Sequence, residues 1–271
     1  MAEAGYGLIG EKLGHSFSPY IHGELGGYDY RLIELERGEL GRFLKRGAFR
    51  GLNVTVPYKK DVIPYCAWLS PEARRIGSVN TIVNDGGLLR GYNTDYFGFV
   101  YMLRKAGIDV KGKKALVLGS GGASLTVQTA LHDIGAKSVT VISRGGEDNY
   151  GNLERHADAR LIVNTTPVGM YPKVEAAPLS LEIFPDCEAV ADIIYNPSRT
   201  KLLLDAEARG IPCANGLPML VAQAKAAAEL FLGRDIPDAR IDEITSIIEK
   251  RTKNIILIGM PGCGKTTVGK L

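Results

Sequence analysis

Six residues, Gly119-Ser120-Gly121-Gly122-Ala123-Ser124, have the composition of a phosphate cradle. Gly119 lets the chain turn sharply, Gly121 lets backbone approach a pyrophosphate, and the small Ser124 lets a following helix pack close to the preceding strand. The surroundings agree. An apolar run at 115–118 leads into the turn. Ala123, Val127, Ala130, Leu131 and Ile134 then recur at helical spacing, with Gly135 placed to end the helix. A second apolar run at 139–142 completes strand, glycine turn, helix, strand, which is a dinucleotide-binding unit. The helix N-terminus there offers N–H groups and partial positive charge to the phosphates. The second strand ends in Ser143-Arg144, with no acid before Glu147. An acid at that point accepts from the 2′-hydroxyl of NAD, whereas an arginine accommodates the 2′-phosphate of NADP. At roughly 1.5–3 kcal/mol per charge-assisted hydrogen bond, one Arg–phosphate contact favours NADP by about ten- to a hundredfold. NADP is the expected cofactor.

Further polar clusters lie on the N-terminal side. Ser16 and Ser18, with Pro19 fixing the exit, make either a cradle for a polyhydroxylated ligand or, at Ser18, the cap of a helix that Pro19 starts. His15 reads as a structural or surface histidine. Asn53 and Thr55 alternate with apolar residues and so share one face of a strand that Pro57 ends. Lys59 follows in the turn, either solvated or placed at a cleft. Asp95 either caps a helix over 96–106 or takes part in chemistry.

The remaining pattern supplies the elements that must hold these groups. Strands are expected at 6–9, 31–35 and 78–83, and a hairpin turn at 84–87 returns the chain over 88–92. Helices are expected over 40–49 and over 70–77, the latter capped by Ser70 with Pro71 at its first position. Residues 111–113 link this part to the dinucleotide unit, and 145–159 leaves room for one ragged helix or a loop. Strands at 161–163 and 189–194 end in the polar tips Asn164-Thr165-Thr166 and Tyr195-Asn196-Pro197, which are expected to border the nicotinamide. An amphipathic helix over 200–209 stops at Gly210, and Gly216-Leu217-Pro218 leads into an alanine-rich helix over 219–232 carrying Gln223.

Composition narrows the classes. The 271 residues suit two modest domains or one large one, with 45% hydrophobic and 23% charged residues. A net charge of +3, from 33 basic and 30 acidic residues, is too small and mixed for a nucleic-acid or membrane surface. Cys66, Cys187, Cys213 and Cys263 are far apart with no CxxC, as expected of reduced thiols in a cytoplasmic protein. No secretory signal or membrane-length run is read, and no metal site is expected.

Taken together, the motifs at 14–19 (GHSFSP), 53–59 (NVTVPYK), 78–81 (SVNT), 93–95 (NTD), 119–124 (GSGGAS), 164–170 (NTTPVGM), 195–203 (YNPSRTKLL) and 215–224 (NGLPMLVAQA) resemble the shikimate dehydrogenase family in content and order. The resemblance runs from about residue 7 to 248. It implies a two-domain α/β fold, with an N-terminal α/β substrate domain, a Rossmann-type NADP-binding domain, and C-terminal helices returning to the substrate domain. The corresponding boundaries are 1–98, 99–215 and 216–252. It implies reversible NADP-linked reduction of 3-dehydroshikimate to shikimate in aromatic amino acid biosynthesis, or, alternatively, quinate/shikimate oxidation with NAD or NADP. Lys59 and Asp95 are then the catalytic pair, with Ser16, Ser18, Thr55, Asn80, Tyr195 and Gln223 around the substrate. Gly119, Ser120, Gly121, Gly122, Ala123, Ser143, Arg144, Asn164, Thr165, Thr166, Ile193 and Gly216 are implied around the cofactor. A monomer or a homodimer both remain open.

Three places depart from the family pattern. The region after His22 is short, Ser143-Arg144-Gly145 keeps the arginine but not its two usual polar flanks, and the span from Arg144 to Asn164 is reduced. Beyond the resemblance, an apolar run at 254–258 leads into Gly259-Met260-Pro261-Gly262-Cys263-Gly264-Lys265-Thr266, a phosphate-cradling G-x-x-x-x-G-K-S/T loop that resembles the opening of shikimate kinase. The chain therefore reads as the dehydrogenase half of a fused protein, with 253–271 a truncated kinase segment. Phosphotransfer is expected to be nil without the magnesium-binding acid and substrate domain it requires.

Overall fold

The computed structural model describes residues 4–14 and 16–252; His15 and the phosphate-loop tail at 253–271 lie outside the described residues. The first sheet contains β1 (Ala4–Gly10), β2 (Tyr30–Glu34), β3 (Phe49–Val54), β4 (Trp68–Leu69), β5 (Thr81–Asp85) and β6 (Leu88–Tyr92). Its order is β2-β1-β3-β5-β6-β4. Helices α1 (Ser18–Gly26) and α2 (Leu40–Arg46) carry the chain between parallel neighbours, so β2 and β3 both run parallel to β1. The tight turn after β5 makes β5 and β6 antiparallel, and Asn84 Oδ1 accepts the Gly87 N–H at 2.8 Å. Helix α3 (Pro71–Ile76) starts as expected, with the Ser70 hydroxyl accepting from the Ala73 N–H at 3.1 Å.

Helix α4 (Thr94–Lys105) leads to the second sheet, which holds β7 (Lys114–Leu118), β8 (Ser138–Ile142), β9 (Leu161–Asn164), β10 (Ala189–Asp192) and β11 (Cys213–Ala214). All its pairs are parallel, in the order β11-β10-β9-β7-β8. Alternation along β7 explains its burial on both faces. Ala115 and Val117 enter one apolar cluster with Phe99, Met102 and Val127, while Leu116 and Leu118 enter another with Leu202 and Leu203. The first face is covered by α4 and α5 (Gly122–Asp133), the second by α6 (Lys201–Ala208).

Two last helices, α7 (Leu217–Leu232) and α8 (Ala239–Thr252), pack back on α1 and the first sheet through Ile21, Leu25, Val221, Ala228, Ile244 and Ile248. The ring of Phe231 stacks on Tyr6 of β1, centroids 5.0 Å apart. None of the described helices is long and apolar enough to cross a membrane.

Several expected boundaries move. The helix expected over 40–49 stops at Arg46, because Gly47 takes a left-handed conformation and Phe49 already opens β3. The strand expected from 78 begins at Thr81, and the helix expected from 96 begins at Thr94. Between Arg144 and β9 the described chain holds one short 3-10 turn at Leu153–His156.

Candidate active site

The order of the second sheet reverses at β7, whose neighbours are β8 and β9; ligands of such sheets bind beyond the strand ends at that reversal. A cavity of about 540 Å³ lies there, lined by Gly119, Ser120, Gly121, Ser143, Arg144, Thr165 and Thr166. Gly119 has φ +100°, and a Cβ on it would stand 2.9 Å from Thr166 Cγ2, so the turn requires glycine. No side chain caps α5, which leaves its first N–H groups to a ligand's phosphates. The residues present therefore suit a dinucleotide.

A second cavity, of about 310 Å³, opens where the two sheets face each other, and Ala123, Ile193 and Gly216 come to it from the dinucleotide side. Ser16, Ser18, Asn53, Thr55, Lys59, Asn80, Asp95, Tyr195 and Gln223 also line it. Gly216 closes the junction: its N–H donates to the Ile194 carbonyl at 2.9 Å, and a Cβ would fall 1.9 Å from the Ile193 carbonyl oxygen.

At its centre Lys59 Nζ donates to Asp95 Oδ2 at 2.5 Å, with side chains only 18% and 12% exposed. Lys59 sits in the turn after β3, its carbonyl accepting the Val79 N–H at 2.8 Å. Asp95 does not cap α4. Asn93 does, accepting the Tyr96 N–H at 3.3 Å, and Asp95 lies in the first turn where the helix dipole favours a carboxylate. A Cβ on Gly122 would lie 3.9 Å from Lys59 Cδ, so the lysine stem reaches the start of α5 across the interface.

The neighbouring groups are fixed by hydrogen bonds. Asn80 Oδ1 accepts the Thr94 N–H at 2.7 Å, and its Nδ2 donates to Thr94 Oγ1 at 3.0 Å. Asn53 Oδ1 accepts from the buried Tyr30 hydroxyl at 2.8 Å, and its Nδ2 donates to Thr81 Oγ1 at 3.1 Å. Ser18 is not a helix cap either. The cap position is Phe17, and the Ser16 hydroxyl accepts the Ser18 N–H at 3.2 Å while donating to Ser18 Oγ at 3.1 Å. Burial pushes the Tyr195 hydroxyl up, so it faces the cavity as a neutral donor.

Two expected cofactor residues line neither cavity. Asn164 is fully buried; it donates to Asp192 Oδ1 at 3.1 Å and accepts from the Thr166 N–H at 3.0 Å and the Thr166 hydroxyl at 2.7 Å, bracing the turn. Gly122 opens α5 and lines neither cavity, although a Cβ on it would stand near the Lys59 stem. Conversely, Tyr150, Pro167, Val168, Ala177 and Pro178 line the dinucleotide cavity and Asn53 and Met219 the second one. Asn53 had a signal, its place opposite the apolar residues of β3; Tyr150 sits in an irregular loop and had none.

A parallel sheet with a glycine turn at its reversal, opposed by a second α/β unit that carries a Lys–Asp pair, defines the class of two-sheet, Rossmann-containing dehydrogenases. Comparison narrows the class. A family model described as the shikimate dehydrogenase substrate binding domain matches residues 8–82. A curated shikimate dehydrogenase (NADP(+)) of Clostridium beijerinckii is 38% identical over 269 residues, 92% of this chain and 99% of its own length. A chorismate mutase/shikimate 5-dehydrogenase fusion protein from Clostridium acetobutylicum superposes with TM-score 0.86 at 38% identity, over 91% of this chain and 97% of that one. The shikimate 5-dehydrogenase of Thermus thermophilus, solved in complex with NADP(H) and shikimate, gives TM-score 0.81 at 36% identity over 89% and 98%. The chain belongs to the shikimate dehydrogenase family.

Proposed function

We propose that this protein catalyses the reversible, NADP-dependent reduction of 3-dehydroshikimate to shikimate. The observation that carries the reading is the 2.5 Å Lys59–Asp95 pair at the interface with the glycine turn. Residues 1–98 form the substrate part, 99–215 the NADP part, and 216–252 the returning helices. Bound NADPH supplies the hydride equivalent. Gly119, Ser120 and Gly121 hold its pyrophosphate, Ser143 and Arg144 its 2′-phosphate, and Thr165, Thr166, Ala123, Ile193 and Gly216 border its nicotinamide end.

Ser16, Ser18, Thr55, Asn80, Tyr195 and Gln223 orient the substrate carboxylate and ring hydroxyls. As negative charge grows on the carbonyl oxygen, the Lys59 ammonium stabilises it and gives it a proton. Asp95 accepts a hydrogen bond from that ammonium and holds it in place. In the oxidation direction the same pair takes the proton from the hydroxyl.

The test is a spectrophotometric comparison of shikimate and quinate, each with NADP and NAD. Turnover is expected to be highest with shikimate and NADP; higher turnover with quinate and NAD would replace the assignment. The dispersed cysteines support a cytoplasmic location, and the Gly259–Thr266 motif supports a nucleotide-phosphate loop belonging to a second enzyme.

A further inference from the structure

We propose that Tyr150 is a specificity-determining residue whose hydroxyl, together with the Arg144 guanidinium, holds the 2′-phosphate of the cofactor. The inference rests on the NADP reading above. Tyr150 and Arg144 line the same cavity as the glycine turn, at its β8 side, where the adenosine end of a dinucleotide belongs.

The loop that carries Tyr150 is short but closely braced. Ser143 N–H donates to the Asp148 carbonyl at 3.2 Å, and Asn149 N–H to Asn152 Oδ1 at 2.8 Å. Asn152 Nδ2 donates to the Glu147 carbonyl at 2.8 Å, and Asn149 Oδ1 accepts the Gly151 N–H at 2.9 Å. His156 Nε2 lies 2.7 Å from Asp148 Oδ1, tying the loop to the 3-10 turn that follows. The tyrosine ring packs against the apolar cluster containing Leu118, Ile142 and Leu153, which fixes its direction.

Its hydroxyl has no hydrogen-bond partner among the described residues, and Arg144 forms no ion pair among them. Burial raises the Tyr150 hydroxyl while the Arg144 charge pulls it the other way, so the phenol stays a neutral donor beside that guanidinium at neutral pH. A packed phenolic O–H and a guanidinium free of ion pairs among the described residues, lining one cavity at the end of the second strand, make a two-point site for a phosphate dianion. A 2′-hydroxyl lacks the charge that would draw both groups. Position by position, Tyr150 therefore supplies a polar partner that Gly145, with no side chain, does not.

Calorimetric titration with 2′,5′-ADP and with 5′-AMP separates this site from the rest of the cofactor. The unmodified chain is expected to bind 2′,5′-ADP at least about tenfold more tightly than 5′-AMP. Tyr150→Phe keeps the ring and its packing. It is expected to weaken 2′,5′-ADP about tenfold, leaving 5′-AMP affinity and the melting temperature as they were. Unchanged 2′,5′-ADP binding by Tyr150→Phe, in a chain that does discriminate the two ligands, overturns the role of Tyr150 alone. Equal weakening of both ligands also overturns it, since the hydroxyl would then serve the adenosine rather than the phosphate. Equal binding of the two ligands by the unmodified chain overturns the NADP reading, and the proposal with it.

Discussion

Lys59 and Asp95 touch through a single short hydrogen bond, yet 36 positions separate them in the chain. Removing the ammonium with Lys59→Ala is expected to lower kcat by about 10²–10⁴-fold, the range for a general acid–base group. NADP affinity measured by fluorescence titration should stay near its original value, because Lys59 lines the second cavity and not the dinucleotide one. Full turnover in that variant would remove Lys59 from the chemistry. A different residue contributes to the response to acid. His22 of α1 is buried, stacked on Tyr30 at 4.0 Å between centroids, with Nδ1 2.5 Å from the Tyr28 hydroxyl and Nε2 without a partner among the described residues. Burial pushes it down to about 3 from an ordinary 6.5, against a smaller opposing contribution from Asn53. Its folded value is depressed, so the unfolded chain takes up the proton first, and stability is lost as pH falls from 6.5 towards 3. At about pH 4.5 the loss is roughly 2–3 kcal/mol. Urea midpoints at pH 7.5 and 4.5 check it, and His22→Phe should narrow the gap between the two midpoints.

Among the elements, those with enough length to show a period were legible in the residues: β7, α5, α6 and α7 all lie within a few positions of where apolar spacing puts them. Ends were read less well where several competent residues compete. Asn93, Thr94 and Asp95 all belong to capping types, and only the fold decides that Asn93 caps and Asp95 faces the cavity. Strands β4 and β11 have two residues each, too few for any alternation to appear. Most of the cleft was legible because its groups sit at strand ends and helix starts, whereas Tyr150 depends on a braced loop with no repeating pattern. The junction between β10 and α7 makes a separate demand. Gly216→Ala drives a methyl into the Ile193 carbonyl, a clash with backbone that no side-chain rotation relieves. A cost near 3 kcal/mol is expected, with Tm lower by roughly 5–10 °C in a thermal scan.

Across the whole molecule, α3 of the first unit and α5 of the second are joined by a small ionic clasp. Arg75 of α3 donates to both carboxylate oxygens of Asp133, at 3.0 and 2.5 Å, and the Tyr96 hydroxyl donates to the same group at 2.8 Å. Asp133 ends α5, where a negative charge is disfavoured by the dipole, and the two donors offset that. Arg75 is exposed and screened, so Asp133→Ala should lower stability by no more than about 1 kcal/mol. A kinetic effect of similar size is expected: KM for both ligands rises several-fold, and the gap to the unmodified enzyme narrows at high salt. Steady-state kinetics at two ionic strengths checks both. Helix α7 couples the same two units in another way. It is a rod of 16 residues, about 24 Å long. Its first turn is pinned beneath Ile193 and Ile194, its middle presents Gln223, and its end wedges Phe231 against Tyr6. Any rocking of one lobe over the other would shift Gln223 against a wall of the second cavity, so the angle between the lobes and the shape of that cavity are coupled.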